Sequence, residues 1–381
     1  MAPGPLRRIV LVAWLALAAA ASGAATAGAA AEDSTAVPPW VGEITFNGLL
    51  ATSYSYNFNR PASGTNQYRV FDVTDNTFAL DEFELVAQKA VAKPRDVGFR
   101  VDLTIGSSVP HVTASAGLFR DDTGKAGDFD AHQAFASWVA PLGSGLRLDF
   151  GKFVTHHGYE VIDGYDGWND NSSRSFLFGY AIPFTHVGAR GAYAFTSKLS
   201  GMLVVANGWD VAKDNNHSKS VGAQLLFSPS PALTMDLNGM YGPERTNNDS
   251  DARSLLDLVA VWKTTDRLTL GVNADYGEEK GAVLPGEIAT WSGVAGYVRA
   301  VVAGPLSVAL RGEYFADPDG ARTGLAQYLA EGTVTPEVRV SPRMLFRGDI
   351  RVDHSNRDAF EKKTGFVDTQ PTVSFEALYS F

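Results

Sequence analysis

The 381-residue sequence contains no cysteine. This absence excludes disulfide bonds, thiolate metal sites, iron–sulfur clusters, cysteine nucleophiles and an acylated lipoprotein cysteine. Long hydrophobic runs are also missing: outside the extreme N-terminus no eighteen consecutive residues are apolar, which excludes transmembrane helices. Positive charge is scarce, since 32 Lys and Arg stand against 42 Asp and Glu, for a net charge of −10. A nucleic-acid-binding protein usually carries a basic stripe, so that class is excluded as well.

Glycine and aromatic residues are plentiful, with 38 glycines and 11% Phe, Trp and Tyr. Together with 45% hydrophobic residues, this composition leaves open the large all-β class, either soluble or barrel-shaped.

Residues 1–31 have the pattern of a secretory signal peptide. Arg7 and Arg8 form a positive region, an apolar stretch of about thirteen residues follows from Ile9, and residues 29–31 offer a small-residue cleavage site. The apolar stretch is too short for a retained membrane anchor. We expect cleavage after Ala31, with cleavage after Ala27 as the minor alternative. Residues 32–381 would then form the mature chain, with a net charge of −12.

The rest of the chain alternates apolar and polar residues with period two, the pattern of strands with two different faces. In 268–276, for example, Leu268 opens the apolar face and Tyr276 closes it. This alternation predicts sixteen strands, with fourteen as the alternative if neighbours merge near Ser197. The predicted strands are 42–57, 77–91, 96–107, 130–140, 145–154, 184–196, 198–209, 217–228, 231–242, 252–264, 266–277, 288–302, 304–316, 326–339, 341–354 and 368–381.

The links between these strands alternate between short turns and long polar segments. Outer-membrane barrels have this asymmetry, with short periplasmic turns, long external loops and both termini on the inner side. The sequence therefore predicts one all-β domain over 32–381, a transmembrane up-and-down antiparallel β-barrel. Tyr241, Tyr276 and Tyr314 end apolar faces on the long-loop side, where an aromatic girdle would lie. In a soluble protein they would be core-edge residues.

The C-terminal strand is the most specific local signal. Its apolar face consists of Val373, Phe375, Ala377, Tyr379 and the terminal Phe381. This pattern resembles the terminal strand by which bacterial outer-membrane barrels are recognised for assembly. It predicts that Tyr379 and Phe381 contact the barrel-assembly machinery, and that lipid of the bacterial outer membrane surrounds the protein.

If the apolar face meets lipid, the opposite face lines a wet lumen. A charge at the bilayer midplane costs about 2–4 kcal/mol for arginine, which favours the inward assignment. These charges could act in ion selectivity. The alternative is that opposite charges on neighbouring strands pair with one another and stabilise the barrel wall. The predicted lumen-wall charges are Arg100, Arg147, Arg311, Glu313, Arg347, Asp349, Arg351 and Asp353.

The third long link, 155–183, is unusually aromatic for an exposed loop. We expect it to fold into the lumen and bury Phe176, Phe178 and Tyr180 against the wall. A packed surface plug or a subunit contact is the alternative. Its charged residues would stand at the narrowest gap and face Arg100, Arg147 and Arg311; they are Asp163, Asp166, Asp170 and Arg174.

Seven short segments spread over the mature chain carry a family resemblance: 150–153 (FGKF), 158–162 (GYEVI), 173–186 (SRSFLFGYAIPFTH), 207–210 (NGWD), 241–244 (YGPE), 311–315 (RGEYF) and 317–320 (DPDG). At these residues the sequence resembles the OmpL-like β-barrel porins, over nearly all of the mature chain. His156-His157 departs from the small or proline residues usual at that place. The resemblance implies a porin-like barrel without naming a solute.

The expected function is that of a porin, a passive diffusion channel for small hydrophilic solutes or ions with a weak cation preference. The alternatives are an adhesin or receptor acting through external loops, and a purely structural barrel. We expect neither catalysis nor a cofactor, since no serine-elbow motif or His-x-x-x-His pair occurs. His156 and His157 would point to opposite faces of a strand and could not share a metal; His157 with Glu160 could chelate only weakly. A homotrimer is suggested only by analogy with general porins.

Overall fold

The computed structural model describes residues 39–112, 117–121 and 123–381. The predicted signal peptide, 1–31, lies outside them. Two compact units are distinguished, Met1–Ile44 and Thr45–Phe381. The described part of the first contains a 3₁₀ turn, Pro39–Glu43; the second is the barrel. No helix among the described residues is long and apolar enough to cross a membrane.

Sixteen strands form the barrel wall, and we number them β1 to β16 in chain order. β15 is interrupted, so that it consists of two pieces. The bounds are Thr45–Asn57, Thr77–Lys89, Val97–Ile105, Phe129–Ala140, Leu146–Val154, Thr185–Ala194, Leu199–Ala206, Ser220–Ser230, Leu233–Pro243, Ala252–Thr265, Leu268–Lys280, Ile288–Ala303, Leu306–Asp317, Gln327–Ser341, Met344–Arg347 with Ile350–Ser355, and Thr369–Ser380.

Every strand pairs antiparallel with its neighbours in the chain, and β1 closes the barrel by pairing with β16 from Leu49↔Ser380 to Asn57↔Thr372. Closure satisfies the edge backbone groups that lipid could not hydrogen-bond. The predicted up-and-down barrel of sixteen strands is confirmed. The strand predicted over 341–354 is present, with its ladder interrupted at Gly348 and Asp349.

The links at the end that holds both barrel termini have two to seven residues, and those at the other end have seven to thirty. Three of the links contain short regular elements: a helix at Val109–Val112, a π-helical turn at Leu177–Ala181, and a small hairpin pairing Phe360–Glu361 with Phe366–Val367. The alternation places apolar side chains outside, since Tyr241, Tyr276 and Tyr314 are each about half exposed. On the other face, Asp257 and Asn273 are buried.

Candidate pore and constriction

The link 155–183 runs through the barrel interior. Its backbone N–H groups donate to inward-facing side chains on four strands that lie on different sides of the wall. These hydrogen bonds join Gly158 to Asp257 (2.8 Å), Tyr159 to Asn273 (3.1 Å), Tyr165 to Glu84 (2.8 Å) and Phe176 to Glu313 (2.5 Å). A segment that contacts β2, β10, β11 and β13 must cross the lumen.

The C-terminal half of this loop packs as an apolar core against the wall. Phe176, Leu177 and Phe178 are almost fully buried, and Tyr180 packs against the same cluster. The indole N–H of Trp291 donates to the carbonyl oxygen of Ala181 at 3.1 Å. The wall and the other loops contribute Trp209, Met240, Leu255, Trp291, Tyr297, Phe315, Leu329 and Phe360. This part of the lumen is therefore filled.

Arginines of β13 and β15 hold the loop in place. Arg311 pairs with Glu160 of the loop and Glu331 of β14, both at 2.7 Å, and donates to the carbonyl oxygen of Ser173 at 2.7 Å. Its side chain is fully buried. The sequence suggested that Arg311 faces the gap; it instead lies behind the loop, because Glu160 reaches back to it.

The remaining wall charges of β13–β15 have similar roles. Glu313 accepts hydrogen bonds from the backbone N–H groups of Phe176 and Leu177. Asp349 accepts hydrogen bonds from the backbone N–H of Ser173 at 2.8 Å and from the Ser173 hydroxyl at 2.6 Å. Arg347 pairs with Asp163 at 2.9 Å and with Glu376. Arg351 pairs with Asp353 at 2.6 Å, donates to the carbonyl oxygen of Arg174 at 2.5 Å, and lies 5.0 Å from the Phe176 ring centroid. These contacts brace the loop.

A cavity of about 440 Å³ remains between the loop and strands β2–β6. Arg100, Arg147 and Arg190 line its wall, and Asp163 and Asp166 line its loop side. The wall guanidinium groups also pair within the wall: Arg100 with Asp102 (2.8 Å), and both Arg147 (3.0 Å) and Arg190 (2.8 Å) with Asp149. Arg100 also reaches Asp166 across the cavity at 2.6 Å. Opposite charges thus face each other across a polar space.

Two of the predicted gap residues lie elsewhere. Asp170 pairs with Arg299 at 2.8 Å, and Arg174 pairs with Asp163 at 2.9 Å while stacking on Phe71. Neither lines the 440 Å³ cavity. Arg190 lines the cavity although it is not among the predicted lumen-wall charges. The alternation of β6 could have identified it, because it lies on the inward face with Gly188 and Ala192.

Asp163 is the electrostatic centre of the loop. Burial alone would raise the pKa of this carboxyl group, but Arg174 and Arg347, with the backbone N–H of Asn169 at 2.8 Å, hold its pKa below the ordinary value. The carboxylate is therefore charged in the docked loop, where it links the loop to β15.

Three histidines form a buried cluster where the loop leaves β5. The rings of His156 and His157 are 4.2 Å apart and His186 lies 6.2 Å from His156, centroid to centroid. The expectation of opposite faces is wrong, because both residues lie in the loop after β5. Glu160 is occupied by Arg311 and Ser175. The described residues contain no group of three or more His, Asp or Glu that could hold a metal ion.

The C-terminal residue completes the seam between β1 and β16. The backbone of Phe381 exchanges two hydrogen bonds of 3.0 Å with Gly48, and its ring stacks against Tyr379 and Phe83. A Cβ at Gly48 would overlap the Phe381 ring, which explains the glycine. Tyr379 and Phe381 are each about 40% exposed on the outer face.

A closed sixteen-stranded barrel with an apolar outer face and an inwardly folded third long loop is the architecture of an outer-membrane porin. The chain belongs to the family described as "Putative beta-barrel porin-2, OmpL-like", whose family model matches residues 43–381. The family and the fold support a location in the outer membrane. No curated protein matches the sequence.

Solved porins share the fold at low identity. The chain is similar to an anion-selective porin from Comamonas acidovorans, with 13% identity, a TM-score of 0.59, and coverage of 89% of this chain and 99% of that one. OprB from Pseudomonas putida matches with 11% identity, a TM-score of 0.58, and coverage of 90% and 95%. A trimer form of the outer membrane protein OmpT from Vibrio cholerae matches with 11% identity, a TM-score of 0.56, and coverage of 89% and 99%.

Proposed function

We propose that the protein is a passive diffusion channel for small hydrophilic solutes and ions, without catalysis or cofactor. The observation that carries this proposal is the 440 Å³ cavity, with guanidinium groups on the wall and carboxylates on the loop. Such a polar space stabilises hydrated ions and dipolar solutes and disfavours apolar ones. Selectivity follows the charges near the narrowest point. The acidic loop residues and the mature charge of −12 support a weak cation preference.

The test is planar-bilayer conductance of the refolded protein, with the reversal potential measured in a salt gradient. We expect steady single-channel currents and a modest preference for cations. Deleting residues 163–175 removes the loop side of the cavity, so it should raise the conductance and blunt the selectivity. Unchanged conductance and selectivity in a folded deletion variant would place the loop outside the permeation path.

The alternative is an adhesin, receptor or structural barrel. The observation that favours it is the filled part of the lumen, where the loop and wall share one apolar core. A refolded, heat-modifiable barrel that never conducts would support this alternative and contradict the channel.

For biogenesis, we propose export through a cleaved signal peptide and recognition of Tyr379 and Phe381 by the barrel-assembly machinery. Deleting Phe381 should lower the yield of folded protein in the outer membrane, because it removes the seam contacts with Gly48. Replacing Phe129, an exposed residue distant in sequence from the C-terminus, by alanine is the matched control. Normal heat-modifiable mobility and yield without Phe381 would contradict the assignment.

N-terminal sequencing tests the cleavage site, and the mass of the native assembly tests the homotrimer.

A further inference from the structure

Three cavities follow one another along the inner face of β2. The 440 Å³ cavity is bordered by Glu84, a smaller cavity of about 10 Å³ by Glu82, and a third of about 40 Å³ by Glu82 and Asp81. Because β2 runs away from the long-loop end, the 40 Å³ cavity, here called the outer cavity, lies nearest the long loops, and the 440 Å³ cavity lies nearest the turns. A volume of about 10–15 Å³ accommodates one water molecule. The middle cavity, here called the throat, is the narrowest of the three.

A β-bulge places a second acid, Asp81, beside Glu82 in the 40 Å³ cavity. Ala51 of β1 pairs with Glu82 and Thr52 pairs with Leu80, so Asp81 has no opposite residue. Consecutive strand residues normally point to opposite faces, and a bulge can redirect one of them. Asp81 therefore lines the same cavity as Glu82 instead of facing lipid.

The other acids around the outer cavity are matched by arginines. Asp72 pairs with Arg69, Asp163 with Arg174 and Arg347, and Glu376 with Arg347. The guanidinium group of Arg174 is occupied further by the Phe71 ring and the carbonyl oxygen of Ser172. The carboxyl groups of Asp81 and Glu82 are left without a cationic partner among the described residues.

Glu82 is only 6% exposed, and its carboxylate has neither an ion pair nor a hydrogen bond among the described residues. Asp81 has one buried carboxylate oxygen without a partner. An uncompensated buried carboxylate is costly, and a cation beside it removes most of that cost. The described residues offer no group of three ligands for a metal ion, which disfavours a chelated divalent ion.

We propose that Asp81 and Glu82 form a binding site for one small monovalent cation, an alkali ion or ammonium. The site lies in the 40 Å³ cavity, next to the throat that Glu82 also borders, and gives the channel its preference for cations. This inference rests on the proposed function for its role in permeation, whereas binding itself requires only the folded barrel. The small volumes of the throat and outer cavity favour a partly dehydrated ion over a larger organic cation.

Binding is tested with crystals of the refolded protein grown in thallium(I) acetate, which supplies a monovalent ion with strong anomalous scattering. We expect an anomalous peak beside the carboxylates of Asp81 and Glu82 that disappears in Glu82→Gln. No peak in the wild-type protein, or a peak unchanged by the substitution, would overturn the site. Asp81→Asn should weaken the peak and serves as the second variant if Glu82→Gln does not fold.

Permeation is tested by the reversal potential in a potassium chloride gradient. Glu82→Gln should lower the cation-to-anion permeability ratio about fivefold, the factor equivalent to about 1 kcal/mol for one charge acting through water at close range. Glu287→Gln removes the same charge from an exposed outer loop and should leave the ratio unchanged. An equal ratio in Glu82→Gln and the wild type would refute the role in selectivity. A thallium peak in a barrel that never conducts would refute the channel and retain the site.

Discussion

Behind strands β9 to β14 the barrel interior is packed like the core of a soluble protein, whereas behind β2 to β6 it holds a cavity of about 440 Å³. Both sides carry inward-facing arginines. Arg311 on the packed side is fully buried between two glutamates, while the side chain of Arg147 on the open side is 45% exposed and pairs with Asp149. An inward charge is therefore not by itself a pore residue; its partners decide whether it holds the loop or lines the cavity.

The largest expected difference between the two sides comes from removing one arginine on each. Arg311→Met leaves Glu160 buried without its arginine and leaves Glu331 paired with only Arg351, at 3.6 Å, which costs about 3–5 kcal/mol. Arg147→Met removes a partly exposed pair, which is worth about 0–1 kcal/mol. Urea unfolding of the refolded barrels should show the large loss only for Arg311→Met, accompanied by noisier currents. Equal stability of the two variants would contradict the division into a packed and an open side.

Period-two alternation predicted the strands and the face on which each charge lies, because that face follows directly from parity. It could not predict which inward charges meet the loop, since Glu160 and Arg311 are 151 residues apart. Nor could it predict the inward position of Asp81, because parity places that residue with the outward Phe83 and only the bulge reverses it. The terminal strand was predictable because its whole apolar face is contiguous in sequence.

The second prediction compares aromatic residues on the two sides. Phe176 is 1% exposed in the packed core, whereas Phe135 borders the cavity beneath Arg190. Phe176→Ala should destabilise loop docking by about 3–5 kcal/mol, the range for a buried phenylalanine, because the packed neighbours cannot collapse into the space. Phe135→Ala adjoins existing space and should cost less. Single-channel recordings should show loop fluctuations only in Phe176→Ala. Fluctuations in Phe135→Ala but not in Phe176→Ala would contradict the assignment of Phe176 to the packed core.

Acid should weaken docking of the loop through its histidines. Burial lowers the pKa of His156 to about 3, with His186 and Arg190 adding to the effect, and lowers the pKa of His157 as well. In an undocked loop these rings regain a pKa near 6.5. Between these values the undocked loop binds more protons, so docking weakens as the pH falls below about 6.5.

The measurement for this third prediction is current noise and conductance as a function of pH. Asp257 is the acid nearest to His157, at 3.8 Å, and a protonated His157 could pair with it. The double variant His156→Gln, His157→Gln should therefore have a flatter pH response than the wild type, in the range between pH 6.5 and 4. An unchanged response in the double variant would assign the effect to other groups.

The smallest effect is expected from the exposed loop acids. Asp166 borders the cavity and its side chain is 48% exposed, whereas Asp170 pairs with Arg299 away from it. Asp166→Asn leaves Arg100 without its partner across the cavity, so the local charge becomes more positive and the cation preference should fall about twofold, within the range for an exposed charge. Asp170→Asn should leave the cation preference unchanged.

Because the screening length shortens from about 10 Å at 0.1 M salt to about 3 Å at 1 M, the Asp166→Asn effect should vanish in concentrated salt. Reversal potentials at both salt concentrations decide this, and an equal shift in the two variants would mean that both sides of the loop border the path of the ions.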